Sequence, residues 1–307
     1  MPFVTVGKEN YGDIDLYYED HGSGQPVVLI HGFPLNSASW EKQTPVLLDA
    51  GYRVIAYDRR GFGNSSQPTT GYNYTTFTED LHLLITRLGL REIVLVGFSM
   101  GGGEVARYIG SHGTSRIAKA VFVSAVTPYL LRAPENPDRV DSVVFEGIQR
   151  EITADRPAFL TQFFKNFYNL DTFRGNRISD EAVRLSWNVA VRASSKGTYD
   201  CVSSWLTDFR QDLARIDIPT LVVHGDADRT CPIGITGKKT NELVRGSRLV
   251  TVKGAPHGLH WTHAEELNQA LLEFLGTSKE KRETTRTGDR AEPSIGREAH
   301  LPAPLMR

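Results

Sequence analysis

Short runs of apolar residues recur along the chain, and turn-forming or polar residues follow each of them. The runs occupy positions 27–30, 52–57, 93–96, 120–124, 220–224 and 248–252. Most of them lack the alternation of apolar and polar residues that marks a strand with one wet face. They therefore predict strands covered on both faces, as in a parallel sheet. Residues 14–19 do alternate, which predicts additional antiparallel strands at one edge.

Helical spacing appears between these runs. Residues 75–88 place Phe77, Leu81, Leu84 and Ile85 on one face, and Gly89 follows as a stop signal. A last helix is predicted over 264–275, after the final strand. Strands that alternate with helices predict an α/β fold with a mainly parallel sheet.

The alternation stops between about residues 128 and 216, where aromatic residues and helix formers replace the strand pattern. This predicts a helical lid (128–216) inserted into an α/β core that comprises residues 1–127 and 217–277. The last segment, 278–307, holds seven basic residues, five acidic residues and three prolines, with few large apolar groups. It lacks the apolar surface needed to offset its ordering entropy, so we expect it to be disordered.

Composition excludes several classes of protein. A formal net charge of −1 gives no reason to expect binding to nucleic acid or to an anionic membrane. Two cysteines, Cys201 and Cys231, fit neither a disulfide framework nor a metal motif. No run approaches the roughly 18 apolar residues of a membrane span, and the first residues lack the pattern of a signal peptide. We therefore expect a cytoplasmic protein.

A candidate nucleophile follows the run at 93–96. Residues 97–101 read GFSMG, which matches the G-x-S-x-G turn that presents a serine between a buried strand and a helix. Glycines flank the serine because side chains there would collide in so tight a turn. The free N–H groups at the start of the helix then face the Ser99 oxygen. The sequence therefore predicts that Ser99 is a nucleophile.

A serine hydroxyl needs a base and a group that orients the base. In this arrangement the acid and then the histidine follow the serine along the chain. The run at 220–224 leads into GDADRTCP, which offers Asp226 and Asp228, and we favour Asp228 as the acid, with Asp226 tying the loop to backbone amides. His257 follows the last predicted strand and is the candidate base.

Two further histidines, His260 and His263, complete an H-x-x-H-x-x-H pattern with His257. No carboxylate stands at the spacing of a zinc site, so we predict that these residues lead into the last helix and bind no metal.

An oxyanion formed at the serine needs two backbone N–H donors. Met100 directly follows the nucleophile and supplies one candidate. The loop HGFP after the run at 27–30 supplies the other, which we assign to Phe33 because Pro34 has no N–H. We expect His31 to hold this loop by hydrogen bonds rather than to act as a base.

Five strings in this order, HGFPLNSASWEKQ, YDRRGFGNSSQP, GFSMGGGEVARY, VVHGDADRTCP and GAPHGLHWTH, carry a family resemblance. Over roughly residues 1–276 the chain resembles the cofactor-free bacterial haloperoxidases and their aryl esterase and perhydrolase relatives, within the α/β-hydrolases. The resemblance implies an eight-stranded, mostly parallel sheet with helices on both faces and a helical lid. It also implies the triad Ser99, Asp228 and His257 and the donors Phe33 and Met100.

The same resemblance implies a reaction range. This is hydrolysis of small carboxylic esters, and perhydrolysis in which hydrogen peroxide and a carboxylic acid give a peracid that oxidises halide. No haem, vanadate or metal is implied. In relatives with perhydrolase activity a proline after the oxyanion residue aims the preceding carbonyl at the peracid. Pro34 stands at that position, and the other interpretation is that it only stiffens the turn. Trp40 is implied to lie near the entry loop, and Pro34 and Trp40 are both candidates for the substrate pocket.

Aromatic residues of the predicted lid are candidates for an apolar acyl pocket, although at least half are expected to be lid core. They are Phe159, Phe163, Phe164, Trp187 and Trp205. Two alternatives stay open: a lactonase or lactamase acting on small cyclic substrates with the same triad, and a non-catalytic ligand-binding protein of the same fold. The expected partners are a small ester or carboxylic acid and hydrogen peroxide, and a homo-oligomer is also considered.

Overall fold

Eight strands form one sheet in the computed structural model of the protein, which describes residues 2–276 except 133, 135, 137 and 138. The strands are β1 (Phe3–Glu9), β2 (Gly12–Gly22), β3 (Pro26–Ile30), β4 (Arg53–Tyr57), β5 (Ile93–Phe98), β6 (Ile117–Val123), β7 (Thr220–Gly225) and β8 (Arg248–Val252). Their order across the sheet is β1-β2-β4-β3-β5-β6-β7-β8. β1 and β2 are antiparallel, β2 is also antiparallel to β4, and the remaining neighbours are parallel. The predicted fold class is confirmed.

Burial explains why the central strands read as continuous apolar runs. All six residues of β5 are buried, as are all six of β7. Helices cover both faces of such a sheet, so no position on these strands is left to water. Because the parallel strands all end at the same edge, the loops after β3, β5, β7 and β8 lie together there.

Helices fill the connections. They are α1 (Thr44–Asp49), α2 (Tyr74–Arg87), α3 (Met100–His112), α4 (Ser142–Phe167), α5 (Leu170–Phe173), α6 (Asp180–Val191), α7 (Ser195–Ser204), α8 (Arg210–Leu213), α9 (Gly237–Leu243), α10 (Leu259–Thr262) and α11 (Ala264–Leu275). A short 3-10 helix, Ser37–Trp40, follows β3. The predicted helices at 75–88 and 264–275 correspond to α2 and α11. None of the described helices has the length and apolar character of a membrane span.

Between β6 and β7 the described residues form α4 to α8 and contribute no strand to the sheet. α4 is interrupted at Asp155, whose backbone is non-helical (φ −159°, ψ 89°), and Pro157 follows within the same helix. Proline cannot continue the helical hydrogen bonding, which accounts for the break. The division into a core and a lid stays a prediction, and the segment 278–307 lies outside the described residues.

Candidate active site

Ser99 stands at the sharp turn between β5 and α3. Its backbone is in the left-handed half of conformational space, with φ 53° and ψ −116°, which is uncommon for a residue with a side chain. A side chain at Gly97 would put its Cβ 2.4 Å from the Gly101 carbonyl oxygen, and one at Gly101 would come within 2.3 Å of the Ile30 carbonyl oxygen. The two glycines are therefore required for the close approach of α3 to β3 and β5.

Three side chains from separate loops form a hydrogen-bonded relay. The Oγ of Ser99 lies 2.8 Å from Nε2 of His257, and Nδ1 of His257 lies 2.7 Å from Oδ2 of Asp228. A carboxylate only accepts, so Nδ1–H of His257 donates to Asp228 and leaves Nε2 as the acceptor for the serine hydroxyl. The three residues are buried, at 5% exposure or less. The geometry is that of a nucleophile, a base and an orienting acid.

Asp228 is surrounded by donors. Its Oδ1 accepts from the amides of Thr230 (2.9 Å) and Cys231 (2.7 Å), and its Oδ2 lies 3.2 Å from Nε2 of His224. Burial alone raises the pKa of Asp228, but the charge of His257 and the hydrogen bonds from both histidines outweigh burial. The pKa of the carboxyl is thus held well below its ordinary value, and the group is ionised when the base needs it.

Asp226 has a different place. It is exposed, and its Oδ1 accepts the amide of Gly254 at 2.6 Å. It ties the loop after β7 to the loop after β8, the arrangement expected from the sequence. Among the described side chains it is Asp228, and not Asp226, that hydrogen-bonds His257.

The two predicted oxyanion donors, Phe33 and Met100, follow β3 and Ser99. Within the part of the chain that the structure describes, neither N–H donates to another group. The hydrogen bonds of His31 fix the direction of the Phe33 N–H. Its Nδ1 lies 2.9 Å from the Gly32 carbonyl and its Nε2 accepts the Arg59 amide at 3.0 Å. The Gly32 carbonyl and the Phe33 N–H belong to one planar peptide, so fixing the carbonyl fixes the donor on its opposite side.

A buried ion pair supports this loop from behind. Arg59 and Glu104 are joined at 2.7–2.8 Å with both side chains at 1% exposure or less, and Arg59 also donates to the His31 carbonyl at 3.0 Å. Tyr57 donates a further hydrogen bond to Glu104. A buried charge is retained only when it is paired and hydrogen-bonded, and here the pairing also immobilises His31.

An apolar cavity of about 450 Å³ opens beside Ser99, between the loops of the sheet and the helical segment. Its size lies in the range of small-molecule sites. Polar groups lie mainly at Glu151, Gln162, Asn166 and Arg229. Its apolar lining includes Phe33, Val126, Leu130, Phe145, Ile148, Phe159, Phe163, Trp205 and Ile235.

Phe159, Phe163 and Trp205 therefore line the cavity, as expected, whereas Trp40 and Pro34 do not. Trp40 is 1% exposed and packs in the core against Phe98 and His260. Pro34 is buried in the turn. The expectation that these two side chains form part of the pocket is corrected, because both are buried and neither lines the cavity.

Two other aromatic candidates also lie elsewhere. Phe164 is 1% exposed and packs against Phe167 and Tyr168. Trp187 borders a separate shallow depression that it shares with Lys165 and Arg174. Neither lines the cavity beside Ser99. Phe164 follows Phe163 on α4, and the rotation of about 100° per helical residue turns its ring away from the cavity and toward Tyr168.

The histidines of the H-x-x-H-x-x-H pattern do not converge. His260 is 1% exposed and packs against Phe98, with ring centroids 4.3 Å apart and ring planes tilted by 49°. His263 hydrogen-bonds Thr262 and packs against Phe173. Among the described residues no three histidine, cysteine or acidic side chains are grouped as a metal site requires. That no metal takes part stays a prediction.

Comparison with known proteins places this site in a family. The α/β hydrolase fold family matches residues 25–264. A Synechocystis protein with non-heme chloroperoxidase in its name is 59% identical over 90% of this chain and 100% of its own length. A crystal structure of bromoperoxidase from Bacillus anthracis has a TM-score of 0.86 and 50% identity, covering 89% of this chain and 98% of that one. The Acinetobacter calcoaceticus bifunctional esterase/perhydrolase DCH is 36% identical over 85% of this chain and 96% of its own. The chain belongs to the α/β-hydrolase family, in the group of the non-haem haloperoxidases.

Sequence reasoning missed three residues of the site. Arg59 and Glu104 lie inside the strings YDRRGFG and GFSMGGGE. These strings indicate the family but do not by themselves indicate a role for the two residues. His224 is the last side chain of β7 before Gly225, and its Nε2 bonds the Cys231 carbonyl at 2.7 Å beside Asp228. A histidine at the end of a buried strand, four residues before the candidate acid, is the signal that was available.

Proposed function

We propose that the protein is a serine hydrolase of small carboxylic esters that works through an acyl-enzyme and also performs perhydrolysis. The observation that carries the proposal is the Ser99–His257–Asp228 relay at the base of an apolar cavity, next to two unengaged N–H groups. Names of relatives, among them esterase/perhydrolase and non-heme chloroperoxidase, support the same reaction range.

In the first half of the reaction His257 accepts the Ser99 proton while Ser99 attacks the acyl carbon. Asp228 keeps the imidazole in the required tautomer and stabilises its cation. The amides of Phe33 and Met100 bind the oxyanion, and each such donor contributes about 3 kcal/mol. The protonated imidazole then donates to the leaving alcohol, and an ester bond joins the acyl group to Ser99.

In the second half a small nucleophile releases the acyl group. Water gives the carboxylic acid, and hydrogen peroxide gives the peracid, with His257 taking the proton in either case. The peracid oxidises halide to hypohalous acid and returns to the carboxylic acid, so the halide needs no site on the protein. The Phe33 carbonyl accepts no hydrogen bond from the described residues, and it is the proposed acceptor for the O–H of the bound peroxide.

The proposed substrates are aryl and short- to medium-chain esters, because the cavity is lined by aromatic and aliphatic side chains. The proposal includes no cofactor. It also includes a cytoplasmic location, which the two buried free thiols of Cys201 and Cys231 support.

The experiment that tests this function is hydrolysis of phenyl acetate with and without hydrogen peroxide, with phenol, acetic acid and peracetic acid measured separately. The expected result is phenol release in both cases and diversion of acetyl groups to peracid as peroxide rises. Acid alone at all peroxide concentrations would remove perhydrolysis from the proposal, and absence of phenol release would remove the esterase.

A further inference from the structure

One turn of chain between α4 and α5 contacts both loops that carry the base and the acid. The carbonyl of Phe167 accepts the amide of Gly258 at 2.8 Å. The Nδ2 of Asn169 donates to the carbonyl of Ala227 at 2.9 Å. Gly258 directly follows His257 and Ala227 directly precedes Asp228, so a single short segment fixes the backbone on both sides of the relay.

Packing tightens the same junction. The Phe167 ring meets the His257 ring edge to face, with centroids 5.0 Å apart at 79°. A Cβ on Gly258 would lie 2.4 Å from the Tyr168 ring and 2.7 Å from the Phe167 ring. The segment is therefore pressed directly onto the loop of the base, and only glycine permits that approach.

Asn169 is held in a costly state. Its backbone is left-handed, with φ 47° and ψ 57°. Asn169 is also 2% exposed, and its Oδ1 has no hydrogen-bond partner among the described residues. A left-handed non-glycine residue and a buried unsatisfied oxygen each destabilise a fold. Asparagine tolerates this conformation better than most residues, and its amide is what reaches Ala227.

A second link runs beside the first. Asp171 of α5 pairs with Arg229 at 2.9 Å, and Arg229 follows Asp228 in the acid loop and lines the cavity. Both partners are largely exposed, so this pair contributes little energy. The buried Asn169 contact is the stronger constraint on the acid loop.

We propose that Asn169 is a positioning residue, which locks the acid loop to the helical segment and so maintains the Asp228–His257 hydrogen bond during turnover. The inference rests on the proposed ester hydrolysis. Its physical basis is that Asp226 joins the acid and base loops to each other, whereas Asn169 joins the acid loop to the helical segment beside the relay. Small misplacements of reacting groups cost large factors in rate.

The test compares Asn169→Ala, Asn169→Gly and Asn169→Asp, with Asn176→Ala as the control at an exposed asparagine of the same segment. Wild-type and variant kcat and KM are measured on one aryl ester from pH 4 to pH 9, together with thermal unfolding. Asn169→Gly relieves the left-handed strain, so it should unfold no earlier than Asn169→Ala. All three variants should nevertheless lose about tenfold or more in kcat with KM nearly unchanged.

A weakened contact between Asp228 and the imidazolium also leaves the cation of His257 less stabilised, whereas the neutral base is little affected. The acid limb of kcat/KM should therefore shift to lower pH in the variants and stay in place in Asn176→Ala. An Asn169→Gly protein with wild-type kcat and an unshifted acid limb would overturn the proposal. Failure of the esterase function is distinct, since it would appear as an inactive wild type.

Discussion

The carboxylate of Asp228 and the imidazole of His257 share a 2.7 Å hydrogen bond at 5% exposure or less, and the same carboxylate oxygen lies 3.2 Å from His224. The acid is thus held between two histidines and two backbone amides, while Asp226, two residues earlier, faces solvent and bonds only loop backbone. This difference separates two aspartates that look alike in the sequence.

Asp228→Asn should reduce kcat/KM for an aryl ester by about a thousandfold or more, because an amide in this position favours the wrong tautomer of His257. Asp226→Asn should stay within about threefold of wild type, since it alters one exposed loop contact. Steady-state kinetics at pH 7.5 on the two variants make the comparison. The reverse order would mean that the relay does not operate through Asp228.

Burial of His260 should make the free energy of unfolding depend on pH. Burial, followed by the charges of His257 and Lys42, lowers the pKa of His260 to about 3 in the folded protein, against about 6.5 in an unfolded chain. The unfolded chain therefore binds a proton between pH 6.5 and pH 3 that the folded protein excludes. Stability from this residue is fully present above pH 6.5 and is lost as the pH falls, by about 2 kcal/mol at pH 5.

His260→Phe removes the pH-dependent contribution of this histidine to stability. It also removes two ring nitrogens that have no partners among the described residues. Urea unfolding at pH 7 and pH 5 should show a smaller loss of unfolding free energy in His260→Phe than in wild type. His21→Asn, at an exposed position on β2, serves as the control and should behave as wild type. Equal losses in all three proteins would contradict the assignment.

The side chain of Phe163 should limit the length of the acyl chain that the enzyme accepts. It lines the cavity, whereas Trp187 lies on a separate surface depression of the same helical segment. Phe163→Leu should raise the ratio of kcat/KM for hexanoyl over acetyl aryl esters by about tenfold, because it enlarges the apolar space. Trp187→Leu should leave this ratio unchanged within about twofold. A shift in both variants, or in neither, would show that the acyl chain binds elsewhere.

The positions of the candidate residues were predictable because the sheet topology largely determines them. Ser99, Asp228 and His257 each follow a buried apolar strand, and Phe33 follows β3, so their chain order with a parallel sheet already brings them to one edge. The antiparallel edge also followed from the alternation at 14–19. These inferences needed only local patterns and the direction of the strands.

Contacts between segments distant in the chain were not predictable from local patterns. Phe163 and Phe164 are adjacent and equally apolar, yet one lines the cavity and the other is core, because the side that each residue faces depends on how α4 packs against α6 and α7. Trp40 is buried because its 3-10 helix packs it against Phe98 and His260, which are distant in the chain. Asn169 meets Ala227 across 58 residues, and nothing in a lone asparagine marks that contact.

The proposed mechanism requires that Ser99 carries the acyl group covalently during turnover. Its most direct test is intact and peptide mass spectrometry of the enzyme quenched in acid during turnover of a p-nitrophenyl ester, in wild type and in Ser99→Ala. We expect an added acyl mass on the peptide that contains Ser99, its discharge by water or peroxide, and neither adduct nor turnover in a Ser99→Ala protein that folds normally. An adduct on another residue, or turnover that survives the substitution, would contradict it.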